Sequence, residues 1–193
     1  LTPGPDYTGG IQFFRENSNL IKEIPPSDIS TPNQPLTEPP DSLIDALRTF
    51  YLGVVAGTVL QLYRDPSQRN RSMLVHPSRL QGDHTTFYGW LNTIKDSWRR
   101  LLTGEDNEEK AELLREFRIT YNDLQLTVTD LPSFEELTNH SLVHAIQYTP
   151  IVEVNSRNGA TPQINWQDNY SWILVGGQSM DRGFTVEGLT VTY

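Results

Sequence analysis

The chain contains no cysteine among its 193 residues. This absence excludes disulfide bonds, thiolate zinc sites and cysteine nucleophiles, and it fits a reducing compartment such as the cytoplasm. Positive charge is also scarce, because 15 lysine and arginine residues stand against 24 acidic ones, for a formal net charge of −9. A strongly basic nucleic-acid module is therefore disfavoured, although a local groove can be positive on an acidic protein.

Long hydrophobic runs are missing as well, and no signal peptide is apparent. The most apolar stretch, FYLGVVAGTVLQLY at 50–63, is shorter than the ~20 residues that a bilayer requires, and Arg48 and Arg64 bracket it. It predicts a buried helix, and we expect a cytoplasmic protein with no membrane partner. The chain runs from Leu1 to Tyr193 and stops within an apparent strand, so we expect a piece of a longer protein.

Residues 1–40 are rich in proline, glycine, asparagine and serine. Proline at this density prevents a continuous helix or a central strand. We predict an extended arm in which IQFFREN, with Phe13 and Phe14, forms one short packed element. A disordered linker is the alternative, and the aromatic pair argues against it.

Helical periodicity begins directly after this arm. A first helix, capped by Asp41 or Ser42, carries the apolar run. Three amphipathic helices are predicted within about 85–147, where they form a helical cap on the sheet. The last of them opens with a capping box made by Ser133 and Glu136.

Short apolar runs bounded by turn residues predict buried strands at MLVH, IVEV, ILV and GLTVTY. Strands that alternate with helices favour an α/β fold with a mostly parallel sheet. Ligands of such sheets bind beyond the carboxyl ends of the strands. This rule places three segments on one rim: HPS after the first strand, NS after the second and GGQSMDRG after the third.

The most distinctive stretch is VGGQSMDRGFTVEGLTVTY, residues 175–193. Gly176 and Gly177 follow a strand, where glycine permits a positive φ and a close approach of backbone. Such a loop could hold phosphate through its N–H groups, but it contains neither Gly-Lys-Ser/Thr nor GxGxxG. The pattern alone leaves open that the loop is only a tight turn.

This stretch resembles motif V of superfamily-two helicases. It is most similar to the Z-one (Z1) domain, a helicase-like domain of bacterial restriction and defence clusters that is often named an endonuclease. PGPDYTGG, SMLVHPS and VEVNS also resemble that family, so the resemblance covers nearly the whole chain. The matching positions in the final stretch are Val175, Gly176, Gly177, Arg182, Gly183, Thr185, Glu187, Gly188, Leu189 and Tyr193.

The resemblance implies an α/β fold of the RecA-like type. Residues 41–193 would be a second helicase lobe truncated at its C-terminal end, 1–40 an arm or inter-lobe linker, and 85–147 an extra helical segment. It also implies that the motif V loop couples nucleotide to DNA, and that HPS stands in the place of motif IV. The candidate contacts to nucleotide or nucleic acid are Gly176, Gly177, Asp181, Arg182, Gly183, Thr185 and Glu187, with His76, Ser78 and Arg79 from the HPS segment.

Several parts of a helicase motor are missing from the sequence. No phosphate-binding Gly-Lys-Ser/Thr loop, Asp-Glu box or arginine-rich final motif is present, and phosphoryl transfer requires the charge neutralisation that they supply. We therefore expect no catalytic residue in this chain and no ATP hydrolysis by it alone. By the resemblance, ATP and Mg²⁺ belong to a parent protein whose partners are a first RecA-like lobe, DNA and defence-system subunits. We expect neither ATP nor Mg²⁺ to bind tightly to this chain alone, and DNA to bind it weakly or not at all.

Two other functions remain open from the sequence. A nuclease would need strand-borne carboxylates for Mg²⁺, and Glu153 in VEVN is the candidate, although Asn155 stands where a lysine is expected. A non-catalytic interaction module would use the glycine loop only as a turn.

Two side-chain patterns have ordinary structural interpretations. His140 and His144 lie four residues apart on a predicted helix, but Ser141 stands where a zincin has glutamate, which favours a structural pair and no metal. Of the four tryptophans, Trp166 lies in a polar loop, and we predict that it is exposed and able to stack on a base.

Overall fold

The structure, a computed structural model, describes residues 18–31, 33–65, 69–78, 80–154, 163–177 and 185–193. Several positions singled out by the sequence lie outside these ranges: Phe13, Phe14, Arg79, Asn155, Ser156, Asp181, Arg182 and Gly183.

Five α-helices and four β-strands make up the regular structure of the described residues. The helices are α1 (Asp41–Val59), α2 (Gln81–Thr103), α3 (Glu108–Gln125), α4 (Phe134–Thr138) and α5 (His140–Tyr148). The strands are β1 (Arg71–Val75), β2 (Ile151–Val154), β3 (Ser171–Gly176) and β4 (Leu189–Thr192). The sheet has the order β2-β3-β1-β4, and every pairing is parallel, which confirms the predicted α/β fold and its parallel sheet.

The two faces of the sheet are covered differently. Met73 and Val75 of β1 and Ile173 and Val175 of β3 lie in one core together with buried side chains from all five helices. The alternate positions face a smaller cluster that contains no residue of the described helices. This smaller cluster is formed by Leu74, Val152, Val154, Ile164, Trp166, Trp172, Leu174 and Val186.

Helix α1 is the centre of the larger core. By length and apolar composition it could also cross a membrane, but Leu43, Leu47, Phe50, Tyr51 and Leu52 expose at most 1% of their surface because the other helices pack around them. As predicted, the apolar run is therefore a core helix of this fold. Burial of each such side chain contributes on the order of 1.5–3 kcal/mol to folding.

The prediction that Asp41 or Ser42 caps α1 is wrong. The helix begins at Asp41 after Pro40, which offers no side-chain hydrogen bond. The carboxylate of Asp28 instead accepts a hydrogen bond from the Ser42 N–H at 3.0 Å. A residue of the proline-rich arm thus supplies the acceptor that the local sequence lacks.

Helix α2 starts earlier than its periodicity indicates. It begins at Gln81 and not at Thr85, because the amides of Asp83 and His84 already bond to the carbonyl of Leu80. The polar composition of this first turn made it resemble a loop. As a result, His84 lies within the helix.

The last predicted helix is broken into α4 and α5. Ser133 and Glu136 form the predicted capping box of α4. Asn139 then adopts an extended conformation, and its side chain accepts a hydrogen bond from the Ser141 N–H to cap α5. Asparagine is among the strongest N-cap residues, so it starts a new helix where apolar periodicity alone predicts continuation.

The described part of the arm, from residue 18 onwards, contains two short 3₁₀ turns, Ser18–Leu20 and Pro26–Asp28. Lys22 forms an ion pair with Asp123 at the end of α3, 2.8 Å away. Leu36 packs against the larger core. The described arm is therefore anchored to the folded domain at three places, of which the Asp28 cap is the third.

Candidate functional site

The carboxyl ends of β1 and β3 lie side by side. Val75 is in register with Val175, so that the HPS segment and the glycine pair leave the sheet at the same edge. We call this the carboxyl edge, and its members in the described residues are His76, Ser78, Asp83, His84, Gly176 and Gly177. The sequence predicted the proximity of His76 and Ser78 to the two glycines, and the structure brings these four residues together.

Gly177 is packed directly against the imidazole ring of His84. A Cβ atom at this position would lie 2.6 Å from Cε1 and 2.8 Å from Nε2 of that ring, and 3.4 Å from the Ser78 carbonyl. The two distances to the ring are shorter than van der Waals contact, whereas the distance to the carbonyl is an ordinary contact. Glycine is therefore required here because the His84 ring lies so close to its Cα atom. The sequence analysis gave two reasons for glycine, a positive φ and a close approach, and the second applies.

Ser78 holds the loop after β1 to the start of α2. Its hydroxyl donates to Asp83 Oδ2 at 2.6 Å and accepts from the Leu80 N–H at 2.9 Å. Its carbonyl oxygen lies 2.9 Å from Nε2 of His84. Since a carbonyl can only accept, Nε2 carries the proton, and the neutral imidazole has the Nε2–H tautomer.

Within the part of the chain that the structure describes, the second ring nitrogen of His84 has no hydrogen-bond partner. The residue exposes only 4% of its surface, and Nδ1 is buried. The ring of His76 is 6.5 Å away, centre to centre, and does not bond to it. The carboxyl edge thus contains a buried acceptor whose bonding capacity is unused.

Glu153 lies near the end of β2, the strand beside β3. Its Oε1 atom accepts a hydrogen bond from the hydroxyl of Thr85 at 2.9 Å, which ties the sheet to α2. Within the described ranges, no three or more histidine and acidic side chains are grouped so that they could hold a metal ion. The hydrogen bond of Glu153 to Thr85 is therefore a structural contact.

Thr185 and Glu187 belong to the segment that leads into β4. This strand begins beside the amino end of β1, away from the carboxyl edge. The Glu187 carbonyl accepts a hydrogen bond from the Ser72 hydroxyl at 2.6 Å, and the Gly188 carbonyl accepts from the Ser72 N–H at 2.7 Å. Ser72 is the second residue of β1, so these contacts lie at the amino ends of the strands. We call this side, with Asn70, Tyr170, Glu187 and Gly188, the amino edge.

The structure therefore separates the predicted site residues into two groups. The glycine pair and HPS lie at the carboxyl edge, whereas Glu187 lies at the amino edge and Thr185 precedes it by two residues. The side chain of Glu187 is exposed; its backbone, not its carboxylate, forms the bond that holds this segment.

Gly188 is the second position where glycine is required. It has φ +63°, and a Cβ atom would overlap the backbone carbonyl of Asn70. The Asn70 side chain donates to the carbonyls of Trp166 and Asn169 at 2.7 and 3.0 Å. The turn before β4 is thus held against the start of β1 by its backbone conformation and by the hydrogen bonds of Asn70.

The carboxyl end of β4 is tied to α1. The hydroxyls of Tyr193 and Ser42 are 2.9 Å apart, and the Tyr193 carbonyl accepts from the His76 N–H at 2.8 Å. Burial raises the pKa of Tyr193, while its bond to Ser42 opposes that shift. Hydrogen bonds from Ser42 lower the pKa of Asp28. Hydrogen bonds within the chain therefore hold the carboxyl end of β4 in place.

The remaining sequence predictions concern histidine and tryptophan. His140 and His144 are exposed on α5, and His144 stacks on Tyr148 with ring centres 4.4 Å apart. The prediction that Trp166 is exposed is wrong, because it is half-buried and meets Trp172 edge-on at 5.9 Å. Trp166 covers the second face of the sheet, where an aromatic ring replaces a helix.

Sequence reasoning missed His84. The signal was present in HPSRLQGDH, where a histidine follows a strand end within one helical turn of a glycine. It was passed over because the polar residues around it resembled a loop.

Comparison with known proteins gives one family. A family model described as Z1 domain matches residues 42–193. No curated protein and no solved structure matches the chain.

Proposed function

Since the chain belongs to the Z1 domain family, we propose that it contributes the second RecA-like lobe of a helicase-like, ATP-dependent, nucleic-acid-binding protein in a bacterial restriction or defence system. In this proposal the loop after β3 is the motif V loop that couples nucleotide and DNA. ATP and Mg²⁺ are bound by the parent protein, in which a first lobe and other defence-system subunits are the partners. The location is cytoplasmic.

One observation carries the proposal: the HPS segment and the glycine pair leave adjacent parallel strands at the same edge. In open α/β sheets, ligands bind in the crevice beyond the carboxyl ends of the strands. The parallel sheet supports the lobe at the level of α/β architecture. All the described helices contribute to the core on one face of the sheet. A RecA-like lobe has helices on both faces, so the second helical layer is a proposal.

The test measures binding by the chain itself. We expect a fluorescent single-stranded oligonucleotide, or a fluorescent ATP analogue, to bind weakly at low salt. The double variant His76→Ala and Ser78→Ala should weaken this binding about threefold to thirtyfold, as expected for two lost polar contacts. The matched control is His140→Ala with His144→Ala, which removes two exposed side chains on α5.

Two results would contradict the proposal. One is no detectable binding at millimolar ligand; the other is equal weakening by the control pair. Phosphate release adds a further check, because the chain with ATP, Mg²⁺ and DNA should hydrolyse nothing above the buffer rate. In a longer protein that contains this domain, Arg182→Ala should reduce DNA-stimulated ATP hydrolysis and leave the fold intact.

A non-catalytic interaction module is the second candidate, and one observation favours it. Ile119 and Leu126 of the α3 region are 70% and 79% exposed, and their spacing of seven residues places them near one line of the helix. Single exposed apolar side chains are ordinary, whereas a contiguous apolar patch marks a surface that contacts another protein; in this candidate function the two side chains belong to such a patch. If Ile119→Ser abolished binding to a defence-system subunit while Arg182→Ala changed no activity, this candidate would replace the first.

A further inference from the structure

His84 is the residue of the carboxyl edge whose bonding is incomplete. Its ring touches three elements at once, because it lies on α2, bonds to the loop after β1 and packs against Gly177 at the end of β3. Its Nδ1 atom is buried and has no hydrogen-bond partner among the described residues. An unsatisfied buried acceptor destabilises the state that contains it, so a ligand that donates to this atom would recover that free energy.

The tautomer decides what kind of ligand group fits. Because Nε2–H is committed to the Ser78 carbonyl, Nδ1 of the neutral ring presents only a lone pair and can only accept. A phosphate group near neutral pH carries mostly acceptor oxygens, so it cannot satisfy this atom. A hydroxyl group can, because its O–H donates a hydrogen bond.

The charges around His84 argue in the same direction. Among the described titratable groups, the ring of His76 lies 6.5 Å from that of His84. Asp83 bonds to Ser78, whose carbonyl contacts the ring, and Glu153 bonds to Thr85, the residue after His84. Two of these three are carboxylates, which repel an anion. The described edge is therefore suited to a neutral donor, and phosphates would be held elsewhere.

We propose that His84 Nδ1 accepts a hydrogen bond from a sugar hydroxyl of a ribonucleotide unit. The inference rests on the proposed function and specifies which chemical part of the ligand the carboxyl edge recognises. The hydroxyl could come from a nucleoside triphosphate or from an RNA strand. An internal unit of a DNA strand has no free sugar hydroxyl, so DNA would not make this contact.

The test observes the ring nitrogen directly. In the ¹⁵N-histidine-labelled chain, a long-range proton–nitrogen spectrum reports the protonation and hydrogen bonding of each His84 nitrogen. The ligands are ATP, 2′,3′-dideoxy-ATP, and oligoadenylate as RNA and as DNA, each at millimolar concentration. Backbone amide shifts in the same samples show whether a ligand binds at all.

We expect ATP or RNA to shift Nδ1 in the direction of an accepted hydrogen bond, while the matched ligand without free hydroxyls binds and leaves Nδ1 unchanged. A response to ATP identifies the nucleotide as the source, and a response to RNA identifies the strand. If ligands bind but Nδ1 does not move, or becomes protonated, the inference is wrong and the proposed function stands. If no ligand binds, both fail.

A variant provides a second readout. His84→Phe keeps an aromatic ring against Gly177 but removes both nitrogens, and His144→Phe is the matched control on the exposed side of α5. We expect His84→Phe to weaken ATP or RNA binding about threefold to tenfold, the value of one hydrogen bond. It should leave dideoxy-ATP or DNA binding unchanged, whereas equal losses for both ligands of a pair would mean a structural role only. The spectra above use the unaltered chain and remain decisive if this variant does not fold.

Discussion

The two edges of the sheet both depend on a glycine, but they use it differently. At the amino edge, Gly188 closes a turn in which the polar groups of Asn70 and Ser72 are bonded to backbone carbonyls. At the carboxyl edge, Gly177 makes room for His84, whose Nδ1 atom has no partner in the described ranges of the chain. The first arrangement stabilises the fold, whereas the second is where we propose that a ligand binds. Gly177 and Gly188 therefore have different roles, although they lie close together in the sequence.

The largest effect is expected from Gly188→Ala. The change places a side chain at φ +63° and against the Asn70 carbonyl, so the free energy of unfolding should fall by about 2–4 kcal/mol. Urea denaturation measures the loss. Gly53→Ala is the control, because a Cβ there meets nothing within 4 Å and alanine favours the helix. A loss below about 1 kcal/mol for Gly188→Ala would show that the amino edge is less rigid than we describe.

Gly177→Ala should have the next largest effect, about 1–3 kcal/mol, because the new methyl group displaces the His84 ring. In the background of His84→Ala the same change should cost much less, since the ring that it meets is gone. A double-mutant cycle followed by urea denaturation measures the coupling between the two positions. Additive losses would mean that Gly177 is required for another reason, such as backbone conformation.

Tyr170, at the amino edge, carries a polar group whose hydrogen bonding is not satisfied within the described residues. Its hydroxyl is buried, has no partner among the residues that the structure describes, and would overlap a Cβ atom at Gly57. Tyr170→Phe should therefore be neutral or stabilising by up to about 1 kcal/mol. It should also reduce the cost of Gly57→Ala, as measured by thermal unfolding of the two single variants and the double variant. A clear loss of stability in Tyr170→Phe would reveal a partner for the hydroxyl.

The smallest effect concerns the arm. Asp28→Ala removes the acceptor for the Ser42 amide at the start of α1, and we expect a loss below about 1 kcal/mol. The Ser42 hydrogen bonds lower the pKa of Asp28 in the folded chain, so its contribution is present above the unfolded pKa, about 4. It should disappear as the pH falls through the lower, folded pKa. Denaturation of both proteins at several pH values from 7 down to 2 checks this. The difference should shrink as the pH falls below about 4, and a difference that stays constant over the whole range would contradict it.

Much of the fold could be predicted because its signals are local. The apolar run of α1, the short strands and the capping box at Ser133 each follow from composition and periodicity within a few residues. The errors occur where a distant residue decides the outcome. Asp28 caps α1 from the arm, and Trp172 covers Trp166; neither contact has a sequence signal near the residue that it affects.

The site was predicted only in part for the same reason. The adjacency of the HPS segment and the glycine pair follows from the rule for parallel sheets, and the structure agrees. The role of His84 depends on which strand lies beside β1, and the order β2-β3-β1-β4 cannot be obtained from spacing. Asp181, Arg182 and Gly183 lie outside the described residues and stay predictions.

The most direct test of the carboxyl edge as a binding site is a backbone amide titration of the chain by NMR. ATP and single-stranded oligonucleotides are added separately, and the residues of the two edges are compared in the same spectra. We predict shifts at His76, Ser78, His84 and Gly177, with Asn70, Ser72 and Gly188 unchanged. Saturable shifts confined to the amino edge, or no shifts at millimolar ligand, would contradict the account.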